Sequence, residues 1–281
     1  MTKRSIIAIP FMLALLLPFY SIAQLDGWTK GKGNMDLALS TTFEQGTGFY
    51  AGEELIDLTR TQVVASIFAA RGITKDLDVI LSIPYVNISG SGGFQDIAFW
   101  LKWAPIQTDL GQNWKMSLVA AGGISTPMSN YGTESVSSIG QQATVFMPMA
   151  LAQFQHNRTG FFFNLSSGYH FKTEPTPDLV PFTFKAGLAK TKYYLEVYFD
   201  VGVSQGGKDY RGQGELAPDS FTEIGANWSK LGAKYYQPLN DRYGFSCEAF
   251  KTLSGRNYDN SIGLAAAFIW KIPARVKADE K

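Results

Sequence analysis

The stretch from Arg71 to Pro105 constrains this chain more than any other. It opens on a tight turn, Gly72-Ile73-Thr74-Lys75-Asp76. Leu77, Val79, Leu81, Ile83 and Tyr85 then alternate with Asp78, Ile80, Ser82, Pro84 and Val86. After a loop from Ser89 to Gly93, Ile97, Phe99, Leu101 and Trp103 alternate with Asp96, Ala98, Trp100 and Lys102. Successive side chains of a strand point to opposite faces. Each run therefore has one wholly apolar face and one that mixes charge, hydroxyl and aromatic groups. Each is about ten residues long, the length of a tilted strand crossing a bilayer.

The rest of the chain repeats the unit. Similar runs fall at 35–43, 59–70, 114–125, 142–154, 161–170, 182–188, 193–204, 228–237, 243–250 and 261–270. That predicts an all-β, up-and-down antiparallel transmembrane barrel of about 12 strands, an even number as in single-chain outer-membrane barrels. Segments 105–112 and 254–260 read as connections, and 44–58, 126–140 and 205–223 as long loops. Short connections alternate with long ones, which places both chain ends on the periplasmic side. The run at 142–154 is the least regular. Val145, Met147, Met149 and Leu151 can share a face, but Pro148 lacks the ladder donor, so the register there stays open.

The first residues read as an address. Lys3 and Arg4 precede an apolar segment at 6–19, and Ser21 and Ala23 are the small residues a signal peptidase reads. Residues 1–23 are thus a signal peptide, 24–270 the barrel and 271–281 a charged tail. No later run is long enough for a membrane helix. Cys247 is the only cysteine, which excludes a disulfide scaffold. A net charge of +1 gives no reason to expect nucleic acid.

A soluble β-sandwich would also alternate apolar and polar faces. The distinction lies in what shares the polar face. Asp36, Arg60, Asp78, Asp96, Lys102, Lys115, Glu196, Asp200, Lys234 and Glu248 fall there, and so do Phe68, Trp100, Phe162, Tyr194, Tyr198 and Phe250. A solvated outer face rarely carries so many large aromatics, whereas a narrow lumen holds them. Tyr85, Trp103, Trp114, Tyr169, Tyr193, Tyr243 and Trp270 recur near strand ends, as interface girdles do. The expected location is the bacterial cell outer membrane, with membrane lipid and the barrel-assembly machinery as partners. The candidate pore-lining set is Asp78, Asp96, Trp100, Lys102, Lys115, Glu196, Tyr198, Asp200, Glu248 and Phe250.

Several segments carry a resemblance. They are Arg71–Val79 leading into Ser82-Ile83-Pro84-Tyr85, and Gly93-Phe94-Gln95-Asp96 leading into Leu101-Lys102-Trp103. Gly123-Ile124-Ser125-Thr126-Pro127 and Gly255-Arg256-Asn257 complete the set. In this order the chain resembles the outer-membrane transporter-like family named for the meta-pathway of phenol degradation. The resemblance implies a barrel of this strand count that passes small, often hydrophobic, molecules. The chain departs from outer-membrane barrels generally in carrying a charged tail after Trp270: either Phe268 and Trp270 mark the closing strand internally, or that strand ends elsewhere.

Catalytic chemistry has little to stand on. Some barrels of this size are lipid hydrolases with a Ser–His pair. Here His156 falls in a predicted turn, and His170 falls on the lumen face with Ser166 four residues before it. Neither stands in a motif for that reaction. Ser89-Gly90-Ser91-Gly92-Gly93 lacks the Lys-Ser/Thr of a phosphate cradle. The loops around Asp209 and Asp259 offer at most weak calcium ligands, and no cofactor is expected. Three readings follow: a passive channel for small, hydrophobic or aromatic solutes; a filled barrel that works through its loops; and, third, a lipid hydrolase.

Overall fold

The computed structural model describes residues 25–133, 138–211 and 218–275. The signal segment and the end of the charged tail lie outside the described residues. The described residues form fifteen strands. They are β1 (Met35–Ala51), β2 (Glu54–Ile56), β3 (Arg60–Gly72), β4 (Leu77–Ile88), β5 (Ser91–Phe94), β6 (Asp96–Leu110), β7 (Trp114–Pro127) and β8 (Val145–His156). After these come β9 (Phe161–Gly168), β10 (Phe171–Lys172), β11 (Leu179–Ala189), β12 (Tyr194–Ser204), β13 (Asn227–Pro238), β14 (Tyr243–Arg256) and β15 (Tyr258–Ile272). Short β2, β5 and β10 extend hairpins at the rim; the other twelve pair antiparallel in order. β15 returns to β1, from Met35↔Ile272 to Tyr50↔Tyr258, and closes the ring. Closure leaves no sheet edge unpaired in the bilayer.

Large apolar side chains cover the outside. Leu39, Ile67, Leu101, Ile124, Leu165, Val197, Leu231 and Leu264 are all exposed there. Trp103, Tyr243 and Trp270 are exposed near the end that carries the short turns, and Tyr85 near the other. These are girdle positions, and the outer surface is that of a protein solvated by lipid.

The strands overrun three expected connections. β1 continues through the Gly-rich stretch to Ala51, because Glu44 faces inward and accepts from Ser261 Oγ of β15. β6 runs on to Leu110, with Pro105 inside a register shift between Trp103 and Ile106. A bulge is where a sheet tolerates a residue with no ladder donor. Only Asn257 separates β14 from β15, where a loop over 254–260 was expected. Its positive φ of 50° suits a short polar side chain that bonds locally.

β8 resolves the open register. Phe146 and Ala150 face lipid, while Met147 and Leu151 are buried inside the barrel. The face shared by Val145, Met147, Met149 and Leu151 is thus the lumen face. Pro148 takes the outward parity, opposite Gly122 of β7.

Candidate functional site: the barrel lumen

The inward aromatics lie flat because the opposite residue is glycine. Trp100 pairs with Gly123, Tyr198 with Gly232 and Phe250 with Gly263. A Cβ at any of these glycines would overlap ring carbons. The rings thereby cover bare backbone and keep the wall thin.

A segment of the chain itself fills the periplasmic half. Residues 25–34 precede β1 and run inside the ring. Leu25 is 5% exposed and packs on Ile80, Trp100, Val119, Ala121, Met147 and Leu151. Gly27 N donates to Gln153 Oε1 at 2.9 Å, and Trp28 Nε1 to Gln155 Oε1 at 3.1 Å. The Trp28 ring stands edge-on to Phe162 and Tyr194, with centroids 5.0 and 5.8 Å away. Lys30 N donates to Asp78 Oδ1 at 3.0 Å.

Lys102 clamps this segment. It is 3% exposed, its Nζ lies 3.2 Å from Asp78 Oδ2 and 3.1 Å from Asp26 Oδ1, and it donates to the Trp28 carbonyl. Asp78 is fully buried. A buried charge needs a partner and further hydrogen bonds, and here the wall and the segment supply both. A second pair, Lys30–Asp36 at 2.7 Å, ties the segment to the start of β1.

The outer half holds open space. Two adjoining cavities of about 440 and 300 Å³ share Asp96, Gln141, Met147, Lys172, Asp200 and Trp228 in their walls. The smaller reaches down to Leu25, so the N-terminal segment is its floor. Above, the outer loops interlock. Asn257 Oδ1 accepts from Gly52 N and Tyr210 N, and its amide donates to Gly225 O at 2.8 Å. Phe221 N donates to Thr133 O at 3.0 Å, joining two loops across the mouth.

Arginines take the two loop carboxylates considered for calcium. Arg256 donates twice to Asp209, at 2.9 and 3.1 Å, and Arg60 donates to both oxygens of Asp259. The hydrogen bond from Arg256 holds the Asp209 carboxyl below its ordinary range. Nearby, the hydrogen bond between Lys208 and Glu223 raises the ammonium and lowers the carboxyl. Among the described residues no cluster of three metal-ligating side chains occurs.

All ten residues singled out from the sequence face the interior, at different depths. Asp78, Lys102, Glu196 and Tyr198 are buried, with Trp100 and Phe250 covering glycines. Tyr198 donates to Glu248 Oε1 at 2.5 Å, and Asp200 accepts from Thr183 at 2.7 Å and from Trp228 at 3.1 Å. Asp96 accepts from the Tyr131 hydroxyl at 2.5 Å. Lys115 sits half-buried at the periplasmic end of β7. Sequence reasoning missed Glu44, Lys185 and Lys230 on the charged wall, and all of residues 25–34. Lys185 and Lys230 could have been found by parity, since each lies on the inward face of its strand. Ser166 and His170 both line the smaller cavity, with no hydrogen bond between them, and His156 bonds Thr159 in a turn.

Solved structures share this architecture. The chain is similar to the COG4313 outer membrane channel from Pseudomonas putida F1, at 12% identity, with 88% of this chain and 98% of that one aligned and a TM-score of 0.67. It is also similar to the NanC porin, at 9% identity, over 85% and 100% of the two chains, with a TM-score of 0.51. No family model and no curated protein matches the sequence. At such identities the likeness establishes the fold, that of bacterial outer-membrane barrels.

Proposed function

We propose that this protein is a passive outer-membrane channel for small solutes. Its route would enter through the outer cavities and leave past the N-terminal segment. One observation carries the reading: the floor of the outer space is a tethered coil rather than a strand. A coil held by a few side chains can move while the hydrogen-bonded ring stays closed. The apolar lining around Trp100 and Met147 fits hydrophobic or aromatic solutes, in keeping with the resemblance to the phenol-pathway transporter-like family. The fold neighbours described as a channel and a porin support the general class. No nucleophile–base pair among the described residues favours the hydrolase.

The filled periplasmic half favours a second reading, a barrel that does not conduct and works through its interlocked loops. Uptake separates the two. Cells lacking the gene and parent cells are compared over a panel of small aromatic and aliphatic compounds. The channel reading expects slower uptake of some of them in the deleted strain. Equal uptake of every compound leaves the loops as the working surface.

A further inference from the structure

The charges around the outer cavities are nearly all answered from within the wall. Arg60 is held by Asp259. Lys230 lies over the rings of Phe250 and Tyr258, at 5.1 and 5.0 Å, and 4.0 Å from Glu44. Lys185 stands 4.0 Å from Glu196. The carboxylate of Asp200 has two donors, and that of Asp96 has the Tyr131 hydroxyl.

Lys172 is different. It lies where the two cavities meet, and its Nζ bonds the neutral Gln141 Oε1 at 2.8 Å. Among the described residues no carboxylate oxygen comes within 4.0 Å of that ammonium. Asp178, six residues on, accepts from the Lys172 backbone N–H and from the Tyr169 hydroxyl, and Glu174, two residues on, is exposed. Two residues before Lys172, His170 is 8% exposed in the wall of the smaller cavity, and its Nε2 has no partner. A buried polar atom without a partner is costly, and each one calls for an explanation. Met147, Leu179 and Trp228 lie in the wall of the same space. Cavities of this size suit small molecules.

We infer that the outer cavities bind small amphipathic carboxylates. The carboxylate sits at Lys172 beside His170, and the apolar body lies against Met147, Leu179 and Trp228. This deepens the channel reading by naming a substrate class, and rests on it only for the claim that the ligand then crosses. The opposite head group, an amine on Asp96, is disfavoured because Asp96 already accepts from Tyr131.

The test uses folded full-length protein in lipid nanodiscs, titrated calorimetrically with 4-phenylbutyrate, 4-phenylbutan-1-ol and 4-phenylbutylamine, with empty nanodiscs subtracted. The carboxylate should bind about tenfold more tightly than the alcohol, the size of one charge-assisted hydrogen bond. Lys172→Met should erase that preference and leave alcohol binding unchanged, and Lys172→Arg should keep it. Equal affinity for carboxylate and alcohol in the parent overturns the inference, whatever the variants do. So does tightest binding of the amine, lost in Asp96→Asn. Conductance of the same preparations separates this claim from the channel. Conductance without carboxylate preference removes the site and leaves the channel; carboxylate binding without conductance does the reverse.

Discussion

The two walls of the lumen obey opposite rules. From β11 to β14 the inward positions carry Lys185, Glu196, Asp200, Lys230, Lys234 and Glu248, in cross-strand register such as Glu196↔Lys234↔Glu248 and Asp200↔Lys230. From β4 to β8 they carry Ile80, Trp100, Val119, Ala121, Met147 and Leu151, covered by Leu25. One wall satisfies itself through charge pairs and tyrosine donors. The other is apolar where a piece of the same chain lies on it, and the two charges buried beneath that piece, Asp78 and Lys102, grip it. A lumen face must be polar only where nothing apolar covers it.

The largest effect should come from breaking the grip. Lys102→Met leaves the buried Asp78 carboxylate without its cation, an error that costs about 3–5 kcal/mol. Unfolding of refolded protein in urea, followed by heat-modifiable gel mobility, should show the loss. Asp78→Asn added to Lys102→Met should recover most of it.

The next effect tests which way β8 faces. Ala150→Arg puts a cation into lipid near mid-strand and should block assembly, at about 2–4 kcal/mol. Met149→Arg, one residue away, points into the lumen and should assemble. On the charged wall, Val197→Arg and Tyr198→Ala should divide in the same way. If Met149→Arg fails and Ala150→Arg folds, the apolar wall faces lipid and the comparison collapses.

A smaller effect probes the polar wall alone. Tyr198→Phe keeps the ring over Gly232 but removes the donor to Glu248, a loss of about 1.5 kcal/mol in the same unfolding assay. No change would mean that Glu248 is satisfied by Lys234, 4.0 Å away.

The smallest effect lies in the outer loops. Asp209 is held below its ordinary value, so its tie to Arg256 is complete above the unfolded carboxylate range. It is lost as the pH falls through the depressed folded value. A spin label at Ser220 should gain mobility only in acid below that ordinary range. Mobility already high at neutral pH would show that the loop tie is absent.

The contrast between walls also explains what the sequence could reveal. The period-two pattern is local, so strands, closure and the lipid face follow from runs such as Leu77–Tyr85 and Tyr193–Val203. Parity placed Trp100, Tyr198 and Glu248 inside for the same reason. It gave no direction for β8, because both faces of Val145–Phe154 are apolar and only long-range contact with Leu25 distinguishes them. Residues 25–34 show no periodicity at all. Their partners, Asp78, Lys102, Gln153 and Phe162, lie far away in sequence, and each looked like an ordinary lumen residue. Glu44, Gly46 and Gly48 read as loop because close-packed lumen lining and surface turns draw on the same small and acidic residues.

On the proposed channel reading, the segment at 25–34 governs passage through the closed ring. Single-channel recording in planar bilayers tests it most directly, with the parent compared against a variant lacking residues 25–34 and folding of both confirmed by heat-modifiable mobility. The account predicts a small conductance in the parent and a several-fold larger one in the variant, since the segment occupies the periplasmic half of the lumen. Equal conductance in the two, or none in either, would contradict it.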